Sequence, residues 1–179
     1  MKVWTLPNAI TIFRIVIIPV FVIMLVYSKY SSALFFFVLA GLSDLFDGLL
    51  ARIKGQGSEL GAFLDPLADK LLLLTSLIIF TIYGWIPIWF TIVLMSRDLI
   101  IVVGWGLVSI LYRRTSVRAS FIGKSAIASQ IVLVAYVLLE MNFPVLPSLG
   151  MPAFVLVASL TAISGVQYIY RELSNAGQK

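Results

Sequence analysis

The sequence predicts an all-α polytopic membrane protein, with six transmembrane helices and a short interfacial helix at its N-terminus. Three observations predict this class: 61% of the 179 residues are hydrophobic, only 12% are charged, and the apolar residues form six long runs. Soluble domains contain about 45–50% apolar and about 25% charged residues. Six spans of about 20 residues fill the chain, so we expect one membrane domain over residues 1–179.

The apolar runs lie at residues 13–28, 32–51, 66–84, 87–112, 122–140 and 151–170, with turn-forming segments between them. Before the first run, a segment rich in Thr, Asn and Trp contains Pro7, which we expect to start a helix lying at the membrane interface. This helix is either an anchor only, or it brings Asn8, Thr11 and Arg14 to a site.

Basic residues are unevenly distributed among the predicted connections. With a cytoplasmic N-terminus, one side receives Lys2, Arg52, Lys54, Arg113, Arg114, Arg118, Lys124, Arg171 and Lys179, and the other side receives only Lys29. The positive-inside rule therefore predicts that both termini are cytoplasmic, as in a protein of the bacterial inner membrane. Because these charges form no basic block, we expect membrane lipids and no nucleic acid as partners.

The absence of His and Cys limits the available chemistry. It excludes Ser-His-Asp and Cys-His catalysis, zinc sites built on His or Cys, and thiol redox reactions. Any catalysis must use carboxylates, hydroxyls, Arg and Lys.

Four aspartates lie at the expected cytoplasmic ends of the second and third helices, namely Asp44, Asp47, Asp65 and Asp69. The members of each pair are three or four residues apart, which places them on one helical face. A charged Asp in a membrane helix costs roughly 2.5–3.5 kcal/mol, so four cost about 10 kcal/mol. Clusters made only of carboxylates suit Mg²⁺ or Mn²⁺, which would compensate for this cost.

Two structural alternatives stand beside a cation site. The carboxylates could pair with Arg52, Lys54 and Lys70 in a solvated rim, or Asp65 could cap a helix that begins at Pro66. Either alternative would explain the presence of any single aspartate. Four aspartates at this spacing favour the cation site.

The pattern Asp44-x-x-Asp47-Gly48-x-x-Ala51-Arg52, eight residues, Gly61-x-x-x-Asp65-x-x-x-Asp69 resembles the complete signature of the CDP-alcohol phosphatidyltransferase family. The six-run layout and the opening segment from Leu6 to Arg14 are also similar. The resemblance implies an enzyme that transfers the phosphatidyl group of CDP-diacylglycerol to an alcohol and releases CMP. It further implies a six-helix membrane domain that forms a homodimer.

The resemblance also implies roles for individual residues. The metal ligands, for two Mg²⁺ or Mn²⁺ ions, would be Asp44, Asp47, Asp65 and Asp69, with Asp69 also the general base. The CDP group would be bound by Gly48, Ala51, Arg52 and Gly61, together with Asn8 and Thr11. A carboxylate base agrees with the chemistry, because the acceptor hydroxyl must lose a proton and the chain has no His.

A basic cluster of Arg113, Arg114, Arg118 and Lys124 precedes the fifth predicted helix. It either sets the topology only or binds an acceptor's phosphate. The sequence Phe121–Lys124 resembles the family branch with glycerol-type acceptors, which are glycerol 3-phosphate or, in single-motif cardiolipin synthases, phosphatidylglycerol. Ser96-Arg97-Asp98 is more similar to the cardiolipin type. The basic cluster favours glycerol 3-phosphate, since a phosphomonoester gains more from several Arg than a diester does.

Arg97 and Asp98 are adjacent charges inside an otherwise apolar run. Adjacent helical positions do not face each other, so we expect them to have separate partners, for instance Arg14 for Asp98, or a ligand. Intramembrane acids also occur in divalent-cation and proton transporters, which is the alternative function. Transporters distribute acids through the membrane, whereas four of the acids here share one end of the helices.

Overall fold

The structure is a computed structural model that describes residues 6–54, 59–112 and 120–176, with side chains at 12–43, 70–104, 106 and 120–171. Within these ranges the chain is all-α and contains no strand. The helices are α1 (Leu6–Val26), α2 (Tyr30–Lys54), α3 (Glu59–Ile82), α4 (Ile88–Tyr112), α5 (Phe121–Asn142) and α6 (Met151–Ala176). The predicted helical class is confirmed, because each long apolar run forms one helix.

The first helix differs from the prediction. α1 is continuous from Leu6 to Val26, so the described residues contain no separate interfacial helix before the first apolar run. Pro7 lies in the first turn, where its missing N–H is tolerated, and no Gly or Pro follows until Pro19. Nothing in the intervening sequence ends the helix, so the opening segment and the first apolar run form one element.

The third helix begins earlier than predicted. α3 starts at Glu59, so Pro66 lies inside the helix instead of starting it. The interpretation of Asp65 as an N-cap is therefore wrong. Proline is tolerated inside membrane helices when neighbouring helices satisfy the freed backbone group. Asp65 and Asp69 consequently lie on one uninterrupted helix.

Two described segments are long and apolar enough to cross a membrane, Phe121–Asn142 and Met151–Arg171. Shorter apolar segments occur at Ile12–Val26, Tyr30–Ser43 and Lys70–Ile82. Large apolar side chains also lie exposed along several helices, including Phe35, Leu99 and Val166. Exposed apolar surface of this extent is typical of contact with lipid. The chain is therefore a membrane protein.

The described chain divides into two compact units. Unit 1 comprises Met1–Ile82 and Val134–Pro147, and in it α1 packs against both α2 and α3, while α2 also contacts α3. The rings of Phe21 and Phe37 pack with their centroids 5.9 Å apart at the α1–α2 contact. α1 is thus the central helix of the three that carry the motif and the opening segment.

Unit 2 comprises Tyr83–Leu133 and Ser148–Lys179. In it α4 packs against α6, and the rings of Phe90 and Phe154 meet edge to face at 5.3 Å. The side-chain amide of Gln130 donates a hydrogen bond of 3.1 Å to the hydroxyl of Thr161, and both side chains are buried. A satisfied polar pair of this kind fixes the register of α5 against α6.

The turn between α1 and α2 has a defined hydrogen-bond pattern. Ser28 adopts a left-handed conformation with φ of 56°. Its N–H donates to the carbonyl of Leu25 at 3.0 Å, and the N–H of Lys29 donates to the carbonyl of Met24 at 2.8 Å. These two bonds form a Schellman motif with Ser28 at the C′ position, where glycine is the preferred residue. The carbonyl of Lys29 then accepts from Ala33 as α2 begins.

Substitutions at Ser28 test this backbone assignment. Ser28→Val should lower the free energy of unfolding by about 1–2 kcal/mol, because a β-branched residue is strained in the left-handed region. Ser28→Gly should be neutral or stabilising, since glycine has no such strain. Thermal unfolding of the detergent-solubilised protein, followed by tryptophan fluorescence, measures both. Equal midpoints for the Val and Gly variants would contradict the assignment.

Candidate active site

The predicted metal and CDP ligands all lie on the three helices of unit 1. α1 carries Asn8 and Thr11; α2 carries Asp44, Asp47, Gly48, Ala51 and Arg52; α3 carries Gly61, Asp65 and Asp69. Their backbones are helical, and their side chains lie outside the described residues. Among the side chains that the structure describes, no three acidic residues lie close enough together to hold a metal ion. The structure therefore brings the motif-bearing helices together, and the meeting of the carboxylates stays a prediction.

Each of these three helices presents a buried stripe next to its motif residues. The stripes are Arg14, Ile18, Phe21 and Leu25 on α1; Ala33, Phe37 and Ala40 on α2; and Leu72, Ser76 and Phe80 on α3. The members of each stripe are three or four residues apart, as on one face of an α-helix. The stripes define which side of each helix faces the interior of unit 1.

Arg14 is fully buried on the α1 stripe. Burying a guanidinium without an anionic partner costs several kcal/mol, so a buried Arg indicates acidic or strongly polar neighbours. The acidic residues of unit 1 are Asp44, Asp47, Glu59, Asp65, Asp69 and Glu140. A fully buried guanidinium therefore makes one polar point on the α1 stripe, whose other members are apolar.

The basic cluster is described only at Lys124, because Arg113, Arg114 and Arg118 lie outside the described residues. Lys124 is exposed in the first turn of α5. Ser120 caps this helix: its hydroxyl accepts a hydrogen bond of 3.0 Å from the N–H of Gly123, and its carbonyl accepts one of 3.1 Å from Lys124. A helix N-terminus beside a Lys is a favourable environment for an anion.

Arg97 and Asp98 have a different arrangement from the one predicted. The buried Arg97 donates from Nη1 to Oδ1 of Asp98 at 2.7 Å, forming a salt bridge between adjacent residues. The expectation that adjacent residues would not pair is wrong, because the long Arg side chain can turn back towards its neighbour. Asp98 also has a further interaction. Arg97 also donates from Nη2 to the hydroxyl of Ser164 at 2.9 Å, which joins α4 to α6.

The Arg97 side chain lies close to two glycines, and the closer contact is with Gly165. A Cβ atom at Gly123 would lie 3.5 Å from Arg97 Nη2, and one at Gly165 would lie 3.3 Å from Arg97 Cγ. The guanidinium therefore lies at the first turn of α5, the turn that carries Lys124. The sequence predicted Lys124 as an acceptor ligand but missed this contact. The available signals were a charge inside an apolar run and isolated glycines on α5 and α6.

The sequence profile of the CDP-alcohol phosphatidyltransferase family matches residues 4–166. The chain is 36% identical over 185 residues to a "Probable phosphatidylglycerophosphate synthase" of Mycobacterium tuberculosis, covering 98% of this chain and 85% of that protein. It is 35% identical over 175 residues to the CDP-diacylglycerol–glycerol-3-phosphate 3-phosphatidyltransferases of Escherichia coli and Shigella flexneri, covering 93% of each chain. The similarity therefore extends over both units.

We expect the Arg97–Ser164 hydrogen bond to stabilise the folded protein. Ser164→Ala should lower the free energy of unfolding by about 1–3 kcal/mol, because it leaves a buried charged donor without its acceptor. Ser148→Ala is the matched control: Ser148 is exposed, and its replacement should change stability by less than about 0.5 kcal/mol. Thermal unfolding in detergent compares the two. Equal effects would show that the hydrogen bond does not hold α4 against α6.

Proposed function

This chain belongs to the CDP-alcohol phosphatidyltransferase family and is a transferase, and from that premise we propose that it transfers the phosphatidyl group of CDP-diacylglycerol to glycerol 3-phosphate, releasing CMP. Relatives named for this reaction match almost the whole chain. Their names favour glycerol 3-phosphate over phosphatidylglycerol, the alternative acceptor. A transferase family also disfavours the transporter interpretation.

Helical periodicity supports an interior position for the aspartates. Steps of three and four residues from the buried stripe of α2 reach Asp44, Asp47 and Ala51, and the same steps back along α3 from Leu72 reach Asp69 and Asp65. Both pairs therefore continue the faces that point into unit 1. This periodicity carries the proposal, because it would place the complete acidic motif on the inward faces of two helices that contact each other.

On α1, steps of three residues back from the buried Arg14 reach Thr11 and Asn8. The central helix thus continues its inward face to the two residues that we assign to the CDP group. The remaining CDP ligands in the proposal are Gly48, Ala51, Arg52 and Gly61. Gly48 and Gly61 have no side chain, which leaves room for close approach of the nucleotide.

The donor set fits hard divalent cations. Asp44, Asp47, Asp65 and Asp69 offer only carboxylate oxygens, the ligands that suit Mg²⁺ and Mn²⁺, and the chain has no His or Cys to attract softer metals. When bound, two such ions neutralise the diphosphate and polarise the phosphorus under attack. We assign these four residues as the metal ligands.

Asp69 also acts as the general base in this proposal. It takes the proton of the acceptor hydroxyl as that oxygen attacks the phosphorus linked to diacylglycerol. The new P–O bond forms while the bond to the CMP oxygen breaks, and CMP leaves with the electron pair. Lys124, with Arg113, Arg114 and Arg118, binds the acceptor's phosphate, since guanidinium and ammonium donors match phosphate oxygens.

The distribution of basic residues supports a specific membrane topology for the proposed enzyme. Six spans in one domain, with both termini and the motif ends of α2 and α3 in the cytoplasm, would follow the distribution of Lys and Arg. The lipid tails of CDP-diacylglycerol could then stay in the bacterial inner membrane while the nucleotide remains near water. In this proposal the enzyme is a homodimer.

Asp69→Asn tests the base. It should lower turnover about 100-fold or more, the usual contribution of a general base, while the protein stays folded. CMP release by the purified protein, with CDP-diacylglycerol, glycerol 3-phosphate and Mg²⁺ or Mn²⁺, is the measurement. Glu140→Gln, the same change of charge on α5, is the matched control and should retain turnover. Near-normal turnover of Asp69→Asn would refute the assignment.

Arg118→Ala and Lys124→Ala test the acceptor site. Each should raise the KM for glycerol 3-phosphate about tenfold or more, because each removes a charge-assisted hydrogen bond to phosphate. The KM for CDP-diacylglycerol should change little. Steady-state kinetics with each substrate varied in turn separates the two constants. Parallel increases in both would assign these residues to the topology alone.

A further inference from the structure

A polar cavity lies at the end of α2 that is remote from the motif. Its volume is about 300 Å³, and it is lined by residues 28–32, Met141 and Asn142, all within unit 1. Fourteen residues of helix separate Tyr30 from Asp44, which corresponds to about 21 Å at 1.5 Å per residue. The cavity is therefore distinct from the candidate active site and lies towards the opposite membrane surface.

The charge of the cavity comes from Lys29. This residue is exposed, and it is the only Lys or Arg between Arg14 and Arg52. Within the described part of the chain, Lys29 has no ion pair and no acidic residue lines the cavity. Glu140 is nearby in sequence but is half-buried on α5 and is not part of the lining. The hydroxyls of Ser28 and Ser32 add further donors, so the cavity is suited to an anion.

The walls of the cavity are held in place by hydrogen bonds. The Schellman turn fixes the backbone of Ser28 and Lys29 between two helices. The hydroxyl of Ser31 donates to Oδ1 of Asn142 at 2.6 Å, and the Asn142 amide donates to the carbonyl of Leu138 at 2.8 Å, which joins the start of α2 to the end of α5. A preformed site loses less conformational entropy when a ligand binds.

An exposed apolar stripe continues from the cavity along α2. Counting from Ser31 in steps of four, three and four residues reaches Phe35, Val38 and Leu42, whose side chains are 61%, 48% and 45% exposed. These residues share one helical face with Ser31. The cavity and the stripe together form a positively charged polar end joined to an apolar track along a membrane helix. An anionic phospholipid has the complementary arrangement, a negatively charged headgroup joined to apolar acyl chains.

We propose that this cavity is a binding site for an anionic phospholipid of the leaflet opposite the motif. The lipid phosphate lies beside Lys29 and the serine hydroxyls, and the acyl chains follow Phe35, Val38 and Leu42. Charge complementarity selects an anionic lipid over a zwitterionic one, because a single unpaired ammonium faces the headgroup.

Lipid binding to the full chain in neutral detergent tests the proposal. The probes are dioleoyl phosphatidylserine, which is neither substrate nor product of the proposed reaction, and dioleoyl phosphatidylcholine. Native mass spectrometry counts bound lipid during each titration. We expect tighter binding of the serine lipid, and Lys29→Gln should weaken that binding about tenfold, whereas Lys29→Arg should retain it.

Arg171→Gln is the matched control, because it removes one positive charge from an exposed position on α6 that does not line the cavity. Its lipid affinity should match the unmodified chain. Unchanged CMP release by Lys29→Gln verifies that this variant is folded. Equal binding of the two lipids, or undiminished binding by Lys29→Gln, would overturn the proposal. Displacement of the lipid by millimolar inorganic phosphate would also overturn it and indicate a site for free phosphate.

Discussion

Placing ionised carboxylates on membrane helices carries a free-energy cost, and the site that we propose in unit 1 has to compensate for it. Four aspartates together cost about 10 kcal/mol on membrane-insertion scales, which is comparable to the whole stability of a typical domain. In the proposed site, inward faces near water and cations would remove most of that cost. The buried Arg14 on the central helix shows that the same interior already accommodates one full charge.

Unit 2 also contains a buried charge, and there hydrogen-bonded partners compensate for it. Arg97 is buried among apolar residues, and it is stabilised by Asp98 on its own helix and by Ser164 on α6. Gly165 leaves room for the aliphatic part of the Arg97 side chain. The first turn of α5 lies beside the guanidinium; Ser120 caps it, and it carries the exposed Lys124.

Much of the helical architecture could be predicted from the sequence, because long apolar runs leave a membrane chain few alternatives to helix. One error came from treating proline as a boundary, since Pro66 lies within α3. The other was the separation of the opening segment from the first apolar run, which form one helix. Local rules about proline do not include the support that neighbouring membrane helices provide.

Side-chain partners were harder to predict than helices. The motif spacing located the candidate aspartates on two helices, since i, i+3 and i, i+4 relations are local. The contact of Arg97 with Ser164, 67 residues later, depends on how α4 and α6 pack, which no local pattern encodes. The salt bridge with Asp98 depends on the rotamer of one flexible side chain. Such contacts require the three-dimensional structure.

The proposed site requires that acidic residues from α2 and α3 meet around two divalent cations. Electron paramagnetic resonance of Mn²⁺ bound to the purified protein tests it directly, because two Mn²⁺ ions a few ångströms apart are magnetically coupled. We expect a coupled signal at two Mn²⁺ per chain that is lost in Asp44→Asn and in Asp65→Asn. An uncoupled signal, or a signal unchanged in either variant, would contradict it.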